Sequence, residues 1–157
     1  MENTQSSGRR EFYIAAAASV LIDQASKLVV SSLLPAGDSI TVIPGVFDIR
    51  SQSNTGAAFG LMEKSGPLLI LISLVAIFAI VKFRRERTRG RLLAVSLGML
   101  LGGAVGNLID RIARPGVFDF LDFQVWPVFN VADIAITVGG GLLFLHTLFG
   151  KGRSAED

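Results

Sequence analysis

Two aspartates near the end of the chain stand in sequence contexts that could support acid–base chemistry. Asp119 lies among apolar residues in the segment Val117–Phe120, and Asp133 follows Asn130 at the start of an apolar stretch. Two carboxyl groups in a site of low dielectric constant cannot easily both ionise, so one keeps a proton while the other acts as a base. Such a pair activates water in aspartic proteolysis. Asp122 competes with Asp119 for this role because it also lies within reach.

The same region has a structural interpretation that needs no chemistry. Asn130 is a favourable residue for the N-cap of a helix, and Asp133 would then occupy the third helical position. A carboxylate there interacts favourably with the helix dipole. From spacing alone, the catalytic and the structural interpretation of Asp133 both stay open.

A second group of ionisable residues lies inside an apolar stretch near the N-terminus. Asp23 and Lys27 are four residues apart, which places both on one face of a helix. Ionisable side chains inside a membrane helix are costly and call for an explanation. We expect either an intrahelical ion pair packed against a neighbouring helix, or an Asp23 carboxylate that orients part of the outer loops.

A third polar group comes at the end of another apolar stretch, where Asn107, Asp110 and Arg111 follow one another closely. Glycines at four-residue spacing precede this group: Gly98, Gly102 and Gly106. Small residues at this spacing allow membrane helices to approach closely, so the glycines predict helix packing. Asp110 and Arg111 either cap the helix at the membrane interface or serve the site, because an arginine there binds carbonyl or carboxylate groups well.

These polar groups must be positioned by elements that are otherwise strongly apolar. Half of the 157 residues are hydrophobic, 18% are charged, and the mean hydropathy is +0.54. A small soluble bundle would need a polar face on every helix, and a membrane span needs about 20 apolar residues. We therefore predict an all-α membrane protein, a single membrane domain over residues 1–157, with four transmembrane helices at about 12–34, 67–83, 92–109 and 128–149.

The first apolar stretch could also be a cleaved signal peptide. Arg9 and Arg10 precede an apolar run that contains Ala15–Ala18, as in many secretory signals. The apolar character resumes after Lys27 and gives the whole segment the length of a span, so we favour a transmembrane helix.

The lysines and arginines predict the orientation of the chain in the membrane. Ten of them fall at the two termini and in the loop 82–91: Arg9, Arg10, Lys82, Arg84, Arg85, Arg87, Arg89, Arg91, Lys151 and Arg153. The opposite side has four: Arg50, Lys64, Arg111 and Arg114. Because basic residues accumulate on the cytoplasmic side, both termini and the basic loop 82–91 are predicted to be cytoplasmic.

Two outer loops follow from this arrangement, at residues 35–66 and 110–127. The first contains a strand-like piece around residues 40–51 that is broken by Pro44-Gly45. The second holds aromatic residues that suit an interfacial layer: Phe118, Phe120, Phe123 and Trp126. The absence of cysteine excludes disulfides, thiolate metal sites and a cysteine nucleophile.

Five short segments, taken together and in order, resemble the lipoprotein signal peptidases (signal peptidase II) of bacteria. They are Asp23–Lys27, Asn54–Phe59, Gly106–Arg111, Val117–Phe120 and Phe129–Asp133. The likeness extends from about residue 12 to residue 149. It implies four membrane helices with a small β-sheet cradle on the outer side.

The resemblance also implies an activity and a set of site residues. The expected enzyme is a metal-independent aspartic peptidase that removes the signal peptide from diacylglyceryl-modified prolipoproteins, cutting just before the lipidated cysteine. Asp119 and Asp133 match the catalytic pair, and Asp23 with Lys27 matches the supporting segment of the first helix. Other matching positions would line the site: Asn54, Gly56, Asn107, Asp110, Arg111 and Asn130.

The expected partners follow from the same resemblance. They are a lipid-modified prolipoprotein and membrane lipid, in the bacterial inner membrane, with no cofactor and no metal. The net charge of +2 is too small to indicate nucleic acid, and a monomer suffices for the mechanism. Two rivals stay open: a small transporter with a carboxylate relay, and an assembly subunit whose interface is the glycine stripe. His146, alone among apolar residues, is expected to be structural.

Overall fold

The computed structural model of this chain describes residues 2–56, 66–87 and 90–150. Helices and short strands follow one another along the chain: α1 (Glu2–Leu33), β1 (Ser39–Ile43), β2 (Phe47–Asn54), α2 (Gly66–Arg87), α3 (Arg91–Ala113), β3 (Val117–Asp122) and α4 (Val131–Gly150). Within the described ranges, four helical segments are long and apolar enough to cross a membrane: Gly8–Leu33, Gly66–Arg85, Arg91–Ala113 and Val131–Phe149. The predicted fold class is confirmed.

The helix ends differ from the sequence-based bounds in ways that matter for the site. α3 continues to Ala113, so Asp110 and Arg111 lie in its last turns and not in an outer loop. α4 begins at Val131 and not at residue 128, because the residues before it pair with β3. The predicted loop 82–91 is mostly helical, since α2 ends at Arg87 and α3 starts at Arg91.

The three strands form one antiparallel sheet in the order β1-β2-β3. The turn between β1 and β2 falls at Pro44-Gly45 as predicted, and Gly45 adopts a φ of 72° that favours glycine. β3 was not predicted from the residue pattern. It pairs with β2 so that Asn54 lies opposite Val117 and Gln52 lies opposite Asp119.

α3 lies at the centre of the helices and contacts α1, α2 and α4. The predicted packing role of the glycine stripe is confirmed, because its members face α1. A Cβ atom added at Gly102 would lie 2.6 Å from the Cβ of Ser19, and one at Gly106 would lie 2.6 Å from Oδ2 of Asp23. The absence of side chains at these positions is what lets α1 approach α3.

The aromatic residues between α3 and α4 do not form the single interfacial layer that the sequence predicted. Phe118 and Phe120 are buried in β3, whereas Phe123 and Trp126 are exposed beyond it. The difference arises because β3 packs against α1 and α3, which cover its side chains, whereas Phe123 and Trp126 lie beyond its end.

A short backbone pairing brings the two predicted catalytic segments together. Phe129 N–H donates to the carbonyl of Leu121 at 3.0 Å, and Leu121 N–H donates back to the carbonyl of Phe129 at 2.8 Å. The chain leaving β3 therefore folds back along that strand before α4 begins. This pairing sets the segment before α4 beside the end of β3.

Candidate active site

A cavity of about 260 Å³ lies where β3, the start of α4 and the end of α3 meet. Asp119 and Asp133 both reach it, although they are 14 positions apart in sequence. The full lining is Asn54, Gly56, Asn107, Arg111, Val117, Asp119, Trp126, Pro127, Val128, Phe129 and Asp133. Two carboxyl groups thus share a small, partly apolar space.

Asp119 is nearly enclosed, with 2% of its surface exposed. Asn54 Nδ2 donates to its Oδ2 at 2.9 Å, and Asn130 Nδ2 donates to its Oδ1 at 2.6 Å. Burial raises the pKa of Asp119 from 3.8 to about 6, because removal from water disfavours the charged form. The negative charge of Asp133 also acts to raise this pKa, while the two asparagine hydrogen bonds and Lys27 oppose the change.

Asp133 is held at the first turn of α4 by a reciprocal cap. Its backbone N–H donates to Oδ1 of Asn130 at 3.1 Å, and the N–H of Asn130 donates to Oδ2 of Asp133 at 3.2 Å. This pattern satisfies helix N–H groups that would otherwise lack partners. The predicted N-cap is therefore confirmed, and the capping carboxylate also reaches the cavity.

Asn107 links Asp133 to Asn130, the residue whose amide donates to Asp119. Its Nδ2 donates to Oδ1 of Asp133 at 2.8 Å, and its Oδ1 accepts from Asn130 Nδ2 at 3.1 Å and from Lys27 Nζ at 3.3 Å. The two donors on Oδ1 fix the amide orientation, because a flipped amide would face them with its own N–H groups. Every amide that touches the carboxylate pair is thereby a donor.

Behind the cavity lies a buried charged group that we call the Lys27 cluster, consisting of Asp23, Gln24, Lys27 and Asp110. Lys27 Nζ lies 2.8 Å from Asp23 Oδ2 and 2.9 Å from Asp110 Oδ2, and all three residues are at most 1% exposed. The predicted intrahelical ion pair is confirmed and has Asp110 as an additional partner. Gln24 Nε2 contacts both carboxylates, at 3.0 Å and 3.3 Å.

Arg111 supplies a positive charge at the edge of the cavity. Its guanidinium donates to the carbonyl of Asn107 at 3.4 Å and lies 3.5 Å from the hydroxyl of Ser73 on α2. These contacts hold the Arg111 side chain toward the cavity and leave donor capacity for another group. The position suits a residue that binds a substrate carbonyl.

The structure separates the predicted site residues into two groups. Asn54, Gly56, Asn107 and Arg111 line the cavity with the two aspartates. Asn130 contacts the pair directly, because its Nδ2 donates to Asp119, whereas the carboxylate of Asp110 lies behind the cavity against Lys27 and the N–H of Phe118. Asp23 and Lys27 also lie behind the cavity. Residues 57–59 of the segment Asn54–Phe59 fall outside the described ranges.

Asp122 does not compete with Asp119 for the cavity. Its carboxylate pairs with Arg50 Nε at 3.0 Å and accepts the N–H of Gln124 at 2.9 Å. Side chains three positions apart on a strand point to opposite faces, so only one of the two aspartates can face the cavity.

Some residues of the site were missed by sequence reasoning. Gln24 bridges the Lys27 cluster, and its position next to Asp23 in an apolar helix was an available signal. The apolar lining from Trp126 to Phe129 gave no such signal. In the described ranges, no three His, Asp, Glu or Cys side chains are grouped so that they could hold a metal ion.

Known proteins resemble this chain along most of its length. The family model for signal peptidase (SPase) II matches residues 15–149. The chain belongs to the signal peptidase II family. The lipoprotein signal peptidase of Geobacter metallireducens is 45% identical over 156 residues, covering 94% of this chain and 96% of the relative. That of Symbiobacterium thermophilum is 43% identical over 138 residues, covering 85% and 91%.

Solved structures also resemble the fold of this signal peptidase II family member. Two bacterial membrane enzymes superpose with TM-scores of 0.85 and 0.80, at 30% and 31% sequence identity. They cover 93% and 88% of this chain and 92% of each matched chain. The chain is thus a peptidase of a membrane-enzyme fold.

Neither rival function is favoured in this signal peptidase II homologue. A carboxylate relay would space acidic groups through the membrane depth, but Asp23, Asp110, Asp119 and Asp133 converge around one end of the helices. An assembly subunit would present its glycine stripe to a partner, whereas here the stripe is covered by α1.

Proposed function

We propose that this protein is an aspartic endopeptidase that removes signal peptides from prolipoproteins, cutting just before a diacylglyceryl-modified cysteine. One observation carries the proposal: Asp119 and Asp133 reach the same cavity and are both held by asparagine amides that donate to them. The lipoprotein signal peptidases that this chain resembles support the substrate class.

The reaction needs one proton on the pair. With its raised pKa, Asp119 is the better holder of that proton, and Asp133 is the base. Asp133 takes a proton from water as the water oxygen bonds to the scissile carbonyl carbon, and Asp119 protonates the carbonyl oxygen. When the C–N bond breaks, the amine nitrogen takes the proton from Asp133 and the re-forming carboxyl group returns one to Asp119. The products are a free carboxyl group on the signal peptide and a free amino group on the cysteine.

The remaining polar residues of the cavity would position the substrate. Arg111 has donors directed toward the space beside the two aspartates, and Asn54 brings its amide to the edge of β2. Orientation of a bound peptide by such groups makes attack by water effectively intramolecular. Both residues are accordingly assigned to substrate binding.

An apolar groove beside the cavity supports a substrate that carries lipid. It has a volume of about 420 Å³ and is lined by Phe123, Trp126, Phe129, Asp133, Ile134, Thr137 and Val138. Trp126, Phe129 and Asp133 also line the cavity, so the two spaces adjoin. An extended peptide in lipid needs partners for its N–H and C=O groups, and this groove offers few, whereas an acyl chain needs none. We assign the groove to the diacylglyceryl group.

The placement in the cell is proposed from the charge distribution. Both termini and the segment 82–91 would face the cytoplasm of the inner membrane, so the sheet and cavity lie at the outer face. Of the basic residues that support this, Arg89, Lys151 and Arg153 fall outside the described ranges. One membrane domain supplies every contact of the carboxylate pair, so a monomer suffices for catalysis.

Cleavage of a diacylglyceryl-modified prolipoprotein by the purified protein in lipid tests this proposal. We expect Asp119→Asn and Asp133→Asn to lower kcat by about 10²–10⁴-fold, the usual contribution of general acid–base catalysis. Asp122→Asn is the matched control and should keep its activity. A variant of Asp119 or Asp133 that cleaves at the wild-type rate would contradict the assignment.

The same assay tests metal independence. Because the proposed mechanism activates water with carboxylates alone, prolonged treatment with EDTA should leave kcat unchanged. Loss of activity on chelation, restored by a divalent metal, would require a different mechanism. If the protein transported protons across vesicle membranes and cleaved no precursor, the carboxylates would instead be assigned to a proton relay.

A further inference from the structure

Each of the two aspartates is preceded by a residue whose backbone is held by the Lys27 cluster. The N–H of Ala132 donates to Oδ1 of Asp23 at 2.9 Å, immediately before Asp133. The N–H of Phe118 donates to Oδ2 of Asp110 at 3.0 Å, immediately before Asp119. Helix α4 and strand β3 are thus attached to two carboxylates at the points where they carry the pair.

Lys27 joins these two attachments with its three N–H donors. One is directed to Asp23, one to Asp110, and the third to Oδ1 of Asn107, at 2.8, 2.9 and 3.3 Å. Asn107 in turn donates to Asp133 at 2.8 Å. An ammonium group has three donors, so each one serves a different connection to the carboxylate pair.

Lys27 itself does not reach the cavity. It is fully buried and is absent from the cavity lining. Resting on the function proposed above, we propose that Lys27 is a positioning residue that fixes the separation and orientation of Asp119 and Asp133. It does so by holding Asp23 and Asp110, and through them the backbone on either side of the site, at a set distance.

A merely structural ion pair would stabilise the fold and leave the chemistry of the folded protein unchanged. A positioning residue, by contrast, affects kcat in protein that is already folded, because small displacements of reacting groups slow the reaction strongly. Since the cavity lining would be intact, KM should change little.

The test compares Lys27→Met with the double variant Lys27→Met/Asp110→Asn. The single variant leaves two buried carboxylates without their cation and could fail to fold. The double variant keeps the net charge of the cluster at the wild-type value, and the amide oxygen introduced by Asp110→Asn can still accept the N–H of Phe118. Arg50→Gln is the matched control, because it removes the cation of the Arg50–Asp122 pair on the sheet.

We expect folded Lys27→Met/Asp110→Asn to have kcat lowered at least tenfold with KM within about twofold of wild type. Arg50→Gln should keep both constants. If either Lys27 variant folds and retains wild-type kcat, the proposal is overturned in favour of a structural ion pair. Failure of both Lys27 variants to fold would overturn it in the same way.

The pH profile gives a second readout, because the charge of Lys27 acts on Asp119. The groups that act on Asp119 come from several elements: Asn54 on β2, Lys27 on α1, Arg111 on α3, and Asn130 and Asp133 at the start of α4. The positive charge of Lys27 lowers the pKa of Asp119. In the residual activity of Lys27→Met, the upper limb of kcat/KM should therefore move to higher pH, whereas Lys27→Met/Asp110→Asn, which keeps the net charge of the cluster, should move it less. An unmoved limb in Lys27→Met would contradict an influence of Lys27 on the carboxylate pair. Loss of cleavage in Asp119→Asn and Asp133→Asn is independent of these results, so the two proposals can fail separately.

Discussion

Asn130 and Asp133 cap one another across the first turn of α4, with backbone N–H to side-chain oxygen distances of 3.1 Å and 3.2 Å. The proposed base is thus also part of the helix terminus, and the amide of its neighbour Asn130 donates to Asp119 and Asn107. This residue pair therefore contributes both to the stability of α4 and to the proposed catalytic site. Substitutions of Asn130 that keep or remove the capping group can separate its effect on stability from its effect on activity.

Asn130→Ser and Asn130→Ala should lose similar activity but differ in stability. Both variants lack the amide that donates to Asp119, and leaving a buried hydrogen-bonding group without its partner costs about 1–3 kcal/mol. We therefore expect kcat to fall about 10- to 100-fold in each. Serine can still cap the helix, so Asn130→Ala should be less stable by about 1 kcal/mol. Denaturation and single-turnover cleavage measure the two effects, and equal stability would argue against the cap.

The pH dependence of kcat/KM should be bell-shaped, with its upper limb set by the proton on Asp119. Burial raises that pKa to about 6 in the free enzyme, so activity should decline as the pH rises through this value and both carboxylates become charged. The lower limb marks protonation of the second carboxyl group. Initial rates at low substrate concentration, from about pH 4 to 9, give the profile. An upper limb that persists unchanged in Asn54→Ala, which loses a hydrogen bond that lowers this pKa, would contradict the assignment.

The free energy of unfolding should also depend on pH through the ionisation of Asp119. The pKa of Asp119 is raised in the folded state, so its contribution favours folding at low pH and is lost as the pH rises from about 4 through 6. A difference of one in pKa between the folded and unfolded states corresponds to about 1.4 kcal/mol. In Asp119→Asn, this part of the pH dependence should be absent, whereas the exposed control Asp38→Asn should follow wild type. Thermal denaturation in detergent at several pH values makes the comparison.

Filling the apolar groove should weaken binding of the lipid part of the substrate. Val138→Trp places a large ring in the groove, and each displaced methylene costs about 0.8 kcal/mol. We expect KM for a long-chain diacylglyceryl precursor to rise about tenfold, with kcat and the KM of a short-chain precursor nearly unchanged. Leu145→Trp, two turns further along α4 and outside the groove, is the control. An equal rise in KM for both precursors would contradict the assignment of this groove to the acyl chain.

Alanine substitutions at two glycines should have opposite effects on stability. The Cβ of Gly102→Ala would meet Ser19 at 2.6 Å, so α1 and α3 must separate. Overpacking of this kind costs about 1–3 kcal/mol. At Gly141 the added Cβ has no neighbour within 4 Å, and replacing a helical glycine there should stabilise by up to about 1 kcal/mol. Denaturation in detergent would show the contrast, and equal changes in stability would contradict the packing assignment.

Local spacing explains what could be predicted from the sequence. Asp23 and Lys27 are one helical turn apart, and Asn130 and Asp133 fit the first turn of a helix, so both pairs were visible in the residue order. The four apolar stretches and the β1–β2 turn were visible for the same reason. All of these features could be predicted without knowing which distant residues are in contact.

The remaining features depend on contacts between residues far apart in sequence. The pairing of Lys27 with Asp110 joins positions 83 residues apart, and β3 is defined by its pairing with β2. Because β3 was not recognised as a strand, its alternation could not separate Asp119 from Asp122 by face. The structure adds this register, and with it the direction in which each carboxylate points.

The four-residue spacing of Asp23 and Lys27 has a consequence for how the chain is made. During synthesis α1 leaves the ribosome long before α3, yet it can enter the lipid carrying no net charge across these two positions, because each side chain already faces an opposite partner. Asp110 is made later and then pairs with Lys27, which is already in the membrane. The N–H of Ala132 can bind Asp23 only after the last helix has been made, so the proposed catalytic site is completed last.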